Sequence, residues 1–439
     1  MSKRLLSVEP LKVIGYLLKW TWLLIPVSLG IGAMVALFLW LLHMAIDFRF
    51  EHPWLLYFLP LAGLLIHTVY ATAGKSSEKG NNLVIDEIHS PGAGLPPEMG
   101  PLVLISTVIT HLFGGSAGRE GTAVQIGGSL ASWFSRAIRL MESDQRTIVT
   151  AGVAAGFGAV FGTPLAGAIF AIEVLTLGRL QYNALIPCLI ASVLGDLTVA
   201  GLGVHHTKYH IDFSSLSLYS GSGLLLLVKV IVAAAFFGLA SSLFSKAAHA
   251  VKYYFNAFFS IKWFIPLAGG MLIIALTCVL GRPDYLSLGV DPQYPEAITI
   301  QSAFLEGGAS YMSWFWKLIY TVITLGSGFK GGEVTPLFYI GATLGNSLAE
   351  FLNAPVGLFA ALGFISVFSG ATNTPFACTI MGVELFGGEH VIYFAVACFI
   401  AFLFSGNSGI YSAQRVRFSK SDLLKESFAK VSGYVKRSS

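Results

Sequence analysis

The chain has 439 residues, of which 55% are hydrophobic and only 11% charged, against roughly 25% charged in an ordinary soluble domain. A water-soluble body so poor in charge could not cover its surface, so the bilayer must be its solvent. The formal net charge of +4 forms no aromatic-interleaved basic patch, which argues against a nucleic-acid partner.

In chain order, Lys3, Arg4, Lys12 and Lys19 precede the first apolar run, Trp20 to Met44, which carries no charge. It is too long for a cleavable signal and has no small-residue cleavage site followed by a soluble domain. Further apolar runs cover Trp54 to Thr72, Ile148 to Ile172, Leu224 to Phe244, Phe264 to Leu280, Val356 to Val383 and Val391 to Phe404. A spanning helix needs about 20 apolar residues, and several runs are shorter or broken by Gly and Pro, so roughly ten or more segments of uneven length are expected. Arg415, Arg417, Lys420, Lys425, Lys430, Lys436 and Arg437 follow the last run. Basic residues at both ends place both termini in the cytoplasm and predict an even number of crossings. No linker divides the chain. It reads as one all-α transmembrane domain over 1–439, with halves of roughly 10–204 and 221–411 and a short cytoplasmic tail at 412–439.

The halves show themselves as a repeat. Gly118-Arg119-Glu120-Gly121-Thr122 matches Gly331-Gly332-Glu333-Val334-Thr335 as G-x-E-x-T at an offset of 213, which also pairs Gly115 with Gly328 and Gly128 with Gly341. Thr163-Pro164-Leu165-Ala166, Ile169 and Glu173 match Thr374-Pro375-Phe376-Ala377, Ile380 and Glu384 at an offset of 211. Repeated halves are typical of transporters, with the substrate site where they meet. The sequence alone leaves open whether they are parallel or inverted.

Glycines cluster at Gly114-Gly115, Gly118, Gly121, Gly127-Gly128, Gly326, Gly328 and Gly331-Gly332. Non-helical backbone survives at membrane depth only where it is buried or lines a cavity. Such breaks leave helix N-termini with free N–H groups and a positive dipole end, which bind anions. Close packing of helices through small residues would need the same glycines. Glu120 tips the balance. It is an ionisable residue beside the apolar helix Ala123 to Phe134, and intramembrane ionisable residues are functional candidates. Its carboxylate can take an anion's place at a helix N-terminus, and protonation would release it. A glutamate that only caps its own helix, or pairs with Arg119, is the plainer alternative. Glu333 has the same setting in the second half. Tyr411 could donate its hydroxyl to an anion, or serve as an interfacial tyrosine.

Other chemistry is absent from the pattern. Gly74-Lys75-Ser76 resembles the end of a phosphate-binding loop, but Val69 stands where its first glycine belongs. His205, His206 and His210 read as loop histidines, and Asp86, Glu87 and His89 as part of a connecting segment. Cys188, Cys278, Cys378 and Cys398 read as small buried hydrophobes. No metal motif, cofactor motif or nucleophile–base constellation supports a membrane enzyme. A structural scaffold would not need the acidic repeat.

These motifs resemble the CLC family of chloride channels and proton-coupled anion antiporters, from about Gly74 to Tyr411. Gly118 to Thr122 is similar to the family's G-R-E-G-P segment with its gating glutamate. Gly331 to Pro336 resembles G-G-x-F-x-P, and Phe161 to Gly167 resembles F-N-A-P-L-A-G. Ile410-Tyr411-Ser412-Ala413 falls on the family's anion-coordinating tyrosine. The departures point within the family. Gly80-Asn81-Asn82-Leu83-Val84 stands for G-S-G-I-P, so Asn81 replaces the coordinating serine. Thr122 replaces a proline, Val334 a phenylalanine, and Glu333 precedes it. The stretch Leu202 to His206, read as matching the family's inner proton glutamate, holds no acid. This combination resembles the bacterial fluoride/proton antiporter subgroup. The resemblance implies two inverted repeats of tilted and re-entrant helices, and a homodimer with one pathway per subunit in the bacterial inner membrane. It implies Glu120 as gate and proton carrier, with Asn81, Gly118, Arg119, Gly121, Val334, Thr335 and Tyr411 around the anion, and Glu333 and Thr122 along its path. Fluoride and protons would be the transported species. Chloride exchange, or a chloride channel, is the nearest rival.

Overall fold

The structure, a computed structural model, describes residues 9–214, 220–417 and 419–422. Of the basic residues used for orientation, Lys3, Arg4, Lys425, Lys430, Lys436 and Arg437 lie outside these.

The first half contains α1 (Glu9–Glu51), α2 (Leu59–Thr72), α3 (Asn81–His89), α4 (Met99–Leu112), α5 (Glu120–Ala137), α6 (Glu142–Phe161), α7 (Pro164–Glu173) and α8 (Leu185–Gly201). The second contains α9 (Gly221–Phe258), α10 (Phe264–Leu280), α11 (Ser313–Gly326), α12 (Val334–Leu352), α13 (Val356–Thr372), α14 (Pro375–Phe386) and α15 (Val391–Phe404). Among the described residues, four helical stretches are long and apolar enough to cross a bilayer: Pro10–Glu51, Pro53–Thr72, Tyr182–Gly201 and Gly221–Phe258. At 1.5 Å per residue, the 43 residues of α1 extend to about 60 Å, twice a bilayer core of about 30 Å, so α1 must tilt or emerge from it. Helices such as α7 and α14, of 10 and 12 residues, cannot span.

Two runs that read as continuous are each two helices. The run Ile148 to Ile172 breaks at Gly162, and Val356 to Val383 breaks at Asn373. Both break residues adopt the left-handed conformation, at φ +70° and +59°. Gly and Asn are the residues that tolerate it, and in each half a Thr-Pro pair follows and starts the next helix. Asp86, Glu87 and His89 lie within α3 rather than in a connecting segment. Three of the four cysteines are buried as expected, but Cys278 on α10 is exposed.

Helices α5, α6, α12 and α13 form the interior. Thr147 through Phe161 of α6 and Leu358 through Thr372 of α13 are buried without interruption. Glycines set the close approach. A Cβ on Gly127 of α5 would lie 2.1 Å from the Gly152 carbonyl oxygen of α6, and one on Gly341 of α12 would lie 2.0 Å from that of Gly363 on α13. The same contact is therefore made once in each half. The outer helices α1 and α9 expose Trp22, Trp40, Leu224 and Leu239, as surfaces facing lipid tails do.

The halves meet about a pseudo-two-fold. Gly118 and Gly332 pair as an isolated antiparallel bridge, with N–H···O distances of 2.6 and 2.8 Å. The repeat glutamates Glu173 and Glu384 then exchange caps. Glu384 accepts from Leu165 N and Ala166 N at the start of α7, both at 2.8 Å. Glu173 accepts from Phe376 N and Ala377 N at the start of α14, at 3.1 and 2.8 Å. Each half thus satisfies two free amides of the other. Near the C-terminal end, β1 (Thr176–Leu177) pairs in parallel with β2 (Arg415–Val416).

Candidate functional site

The Gly118–Gly332 bridge fixes what happens next along each chain. Two residues after Gly118, α5 begins at Glu120; two residues after Gly332, α12 begins at Val334. The N-termini of both helices are thereby brought together inside the protein. The Glu120 side chain does not turn back to cap its own helix. It crosses to the start of α12. Its Oε1 accepts from Val334 N at 2.5 Å and Thr335 N at 3.0 Å, and its Oε2 accepts from Thr335 Oγ1 at 2.7 Å and Arg119 N at 3.0 Å. Glu120 is 1% exposed. A buried carboxylate with no cationic partner is costly. Four donors and the positive end of α12 offset that cost, and the same set would serve a bound anion. Arg119 gives its backbone amide and, among the described residues, no ion pair, so the pairing of Glu120 with the Arg119 side chain is not what the fold makes.

Glycine is required where the carboxylate crosses. A Cβ on Gly118 would stand 2.3 Å from Glu120 Oε1, and one on Gly332 would stand 2.5 Å from it and 2.7 Å from Gly121 N. A Cβ on Gly121 would lie 2.9 Å from Asn81 Nδ2 and 3.0 Å from Gly332 Cα. Asn81 is the first residue of α3, after Gly80 at φ +56°. A third helix start thus comes to the same place. Asn81 Oδ1 is buried and has no hydrogen-bond partner among the described residues. The next residue, Asn82, accepts from Ala413 N at 2.9 Å, and Ile410 N donates to Ala371 O at 2.9 Å. These two bonds hold Tyr411 between them. Tyr411 is 8% exposed, and both Glu120 and Glu333 are near enough to act on it electrostatically.

Glu333 behaves differently from its repeat mate. It occupies the cap position before α12 rather than the first turn. Its Oε2 is buried with no hydrogen-bond partner among the described residues. Glu120 and Lys252 both act on its charge. Thr122, expected along the path, instead bonds Thr107 of α4 through its hydroxyl at 2.7 Å, and both are fully buried. It joins none of the groups around the carboxylate.

Two cavities bear on this centre. A small one, of about 20 Å³, is lined by Thr335, Arg119, Phe161, Phe338 and His206 among others. Thr335 therefore belongs to both the carboxylate's cage and this cavity. A larger one, of about 460 Å³, is lined by Lys75, Lys252, Lys262 and Lys330 with Glu78 and Phe329. The sequence reading missed both sets. Of the three loop histidines, only His206 lines the small cavity. Burial, and then the charge of Arg119, push it down to about 4, so it is neutral at neutral pH. The stretch Leu202 to His206, expected at an inner proton position, thus ends beside Arg119 and Thr335. The lysines gave no signal because they are scattered along the chain from position 75 to 330.

Comparison with known proteins agrees with this architecture. The family model for the voltage gated chloride channel matches residues 58–406. A "Chloride/fluoride channel protein" of Pseudomonas syringae pv. tomato is 45% identical over 414 residues, covering 94% of this chain and 90% of that protein. The crystal structure of a CLC-type fluoride/proton antiporter superposes with a TM-score of 0.84 at 33% identity, covering 91% of this chain and 98% of the other. The structure of a slow cyanobacterial Cl-/H+ antiporter has a TM-score of 0.74 at 18% identity, over 94% and 98% of the two chains, a likeness of fold.

Proposed function

This chain belongs to the CLC family of voltage gated chloride channels and their transporter relatives, and from that premise we propose that it exports fluoride in exchange for protons. The observation that carries the reading is the Glu120 carboxylate among the amides of Val334 and Thr335 and the Thr335 hydroxyl. A carboxylate held there competes with an anion for one set of donors. Protonation removes its charge and frees the donors. Anion and proton then exchange at one residue, which is the minimum an antiporter needs. In this reading Glu333, with its unpartnered oxygen and Lys252 near, passes protons between Glu120 and the lysine-lined cavity.

Fluoride is supported by the donor set. It is smaller and more strongly hydrated than chloride, so its site must supply close donors. Asn81 brings an amide N–H₂, Thr335 a hydroxyl beyond its backbone N–H, and Tyr411 a second hydroxyl. The 33% identical solved structure is itself described as a fluoride/proton antiporter. We place the protein in the bacterial cytoplasmic membrane as a homodimer with one pathway per subunit and both termini inside, acting as a transporter and not an enzyme. Lys12, Lys19, Arg415, Arg417 and Lys420 at the two ends support that orientation.

The second reading is chloride transport, as coupled exchange or as a channel; the 45% identical relative carries both anions in its description and is called a channel. Proteoliposomes loaded with fluoride or chloride separate the two. The account expects fluoride efflux to take up external protons and to exceed chloride efflux by at least about tenfold, a difference of about 1.4 kcal/mol at the barrier. Equal efflux of the two anions would remove the fluoride assignment.

A further inference from the structure

A strongly basic pocket lies on the face where β1 and β2 pair, and it shares no lining residue with the groups placed around Glu120. It has a volume of about 730 Å³ and is lined by Arg146, Arg179, Arg415 and Arg417, with His89 and Gln181. The ribbon explains the grouping. Arg415 N donates to Leu175 O at 3.1 Å and Arg417 N to Leu177 O at 3.3 Å. This sets the two late arginines beside Arg179, which follows β1 closely. Arg146 arrives from the first turns of α6.

Among the described residues, no carboxylate neutralises this charge. The four guanidinium groups belong to exposed residues. Arg415 donates to Ser90 Oγ at 3.2 Å. Among the described residues, none of the four forms an ion pair with a carboxylate. Burial lowers the His89 pKa, and the charges of Arg415 and Arg146 lower it further, against an opposing pull from the Leu175 carbonyl and Asp86. A concave set of unpaired guanidiniums is the donor arrangement that fits phosphate.

The second observation identifies the source of that phosphate. An apolar cleft of about 370 Å³ opens from the same wall. It shares Thr176, Arg179, Leu180 and Tyr182 with the basic pocket and continues along Phe376, Phe399 and Phe402. A free anion would use only the basic part. Tyr182 at the junction is 69% exposed, the placement of an aromatic at a membrane–water boundary. The start of α1 comes to this face too, through Lys19 Nζ on Asp144 at 2.6 Å and Tyr16 Oη on Asn183 O at 3.4 Å. In the orientation proposed above this is the cytoplasmic leaflet, where anionic lipids attract basic groups and basic pockets take their headgroups.

We infer that pocket and cleft together bind an anionic phospholipid, its phosphate among Arg146, Arg179, Arg415 and Arg417 and an acyl chain along the phenylalanines. The inference rests on the membrane orientation and not on which anion is transported.

Native mass spectrometry of the full-length protein in detergent tests it, with dioleoylphosphatidylglycerol, dioleoylphosphatidylcholine and inorganic phosphate as probes. Phosphatidylglycerol should be retained in preference to phosphatidylcholine, and millimolar inorganic phosphate should not displace it. The triple variant Arg146→Gln, Arg179→Gln, Arg417→Gln should weaken phosphatidylglycerol retention roughly a hundredfold, from about a factor of five per arginine near an anionic surface. The corresponding triple lysine variant should retain most of the binding, and it carries the test if the glutamine variant does not fold. Equal retention of the two lipids, or unchanged retention in the glutamine variant, would overturn the inference. Displacement by inorganic phosphate alone would also overturn it, marking a free-anion site.

Discussion

The two glutamate pairs of the repeat have opposite fates. Glu173 and Glu384 keep the symmetry: each places both carboxylate oxygens on two backbone amides at the start of the other half's short helix. Glu120 and Glu333 break it. Glu120 takes three donors across the interface and a fourth from the adjacent Arg119 N, while Glu333 leaves one buried oxygen with no partner among the described residues. The difference begins with one position in the chain. Glu120 is the first residue of its helix, and Glu333 is the residue before its helix. A symmetric pair holds the halves together. In the function proposed above, the asymmetric pair gives one carboxylate that moves into and out of a site and another that trades protons.

Substitutions can break or sharpen this contrast. The largest effect is expected from Gly332→Ala. The added Cβ would meet Glu120 Oε1 at 2.5 Å and Gly121 N at 2.7 Å, so the carboxylate and the helix starts must separate. Misplacement on that scale costs about a hundredfold in rate, so fluoride efflux from proteoliposomes should fall by about that factor. Efflux near wild type would show that the crossing geometry is not needed.

The symmetric pair should respond in stability and not in coupling. Glu173→Gln and Glu384→Gln each leave a buried N–H facing an amide group, a loss of about 1–3 kcal/mol. Thermal unfolding in detergent should fall by similar amounts for the two, and the ratio of protons to fluoride should be unchanged. A change in that ratio would place one of them on the proton route. The smallest effect is expected from Thr335→Val, which removes the hydroxyl and keeps both amides. Losing one such hydrogen bond is worth about 1 kcal/mol, so the fluoride rate should shift about fivefold in either direction with coupling intact. Loss of coupling in this variant would mean that the hydroxyl, and not the helix start, holds the carboxylate.

Much of this was legible in the chain. The G-x-E-x-T repeat set Glu120 and Glu333 beside helix starts, and the Thr-Pro-x-Ala repeat paired Glu173 with Glu384, because each needs a particular residue type at a fixed spacing; the left-handed breaks and the reciprocal capping came only with the structure. Gly162 and Asn373 mark breaks that hydropathy hides, since the apolar run continues through them. What stayed hidden is where side chains go once the halves meet. Glu120 reads as the start of its own helix, and only the Gly118–Gly332 bridge turns it onto α12. Thr122 stands beside the gate in sequence, yet helical geometry points it at Thr107. His206 and the cavity lysines come together from distant segments whose spacing carries no pattern.

The central claim is that one carboxylate, Glu120, alternates between the α12 donors and a proton. The direct measurement is proton uptake driven by an outward fluoride gradient in proteoliposomes, for wild type and Glu120→Gln side by side. Glutamine keeps the size of the side chain and removes its titratable proton. The account predicts proton uptake with fluoride efflux in the wild type, and no coupled proton movement in Glu120→Gln even where fluoride still flows. Coupled proton uptake persisting in Glu120→Gln would contradict it.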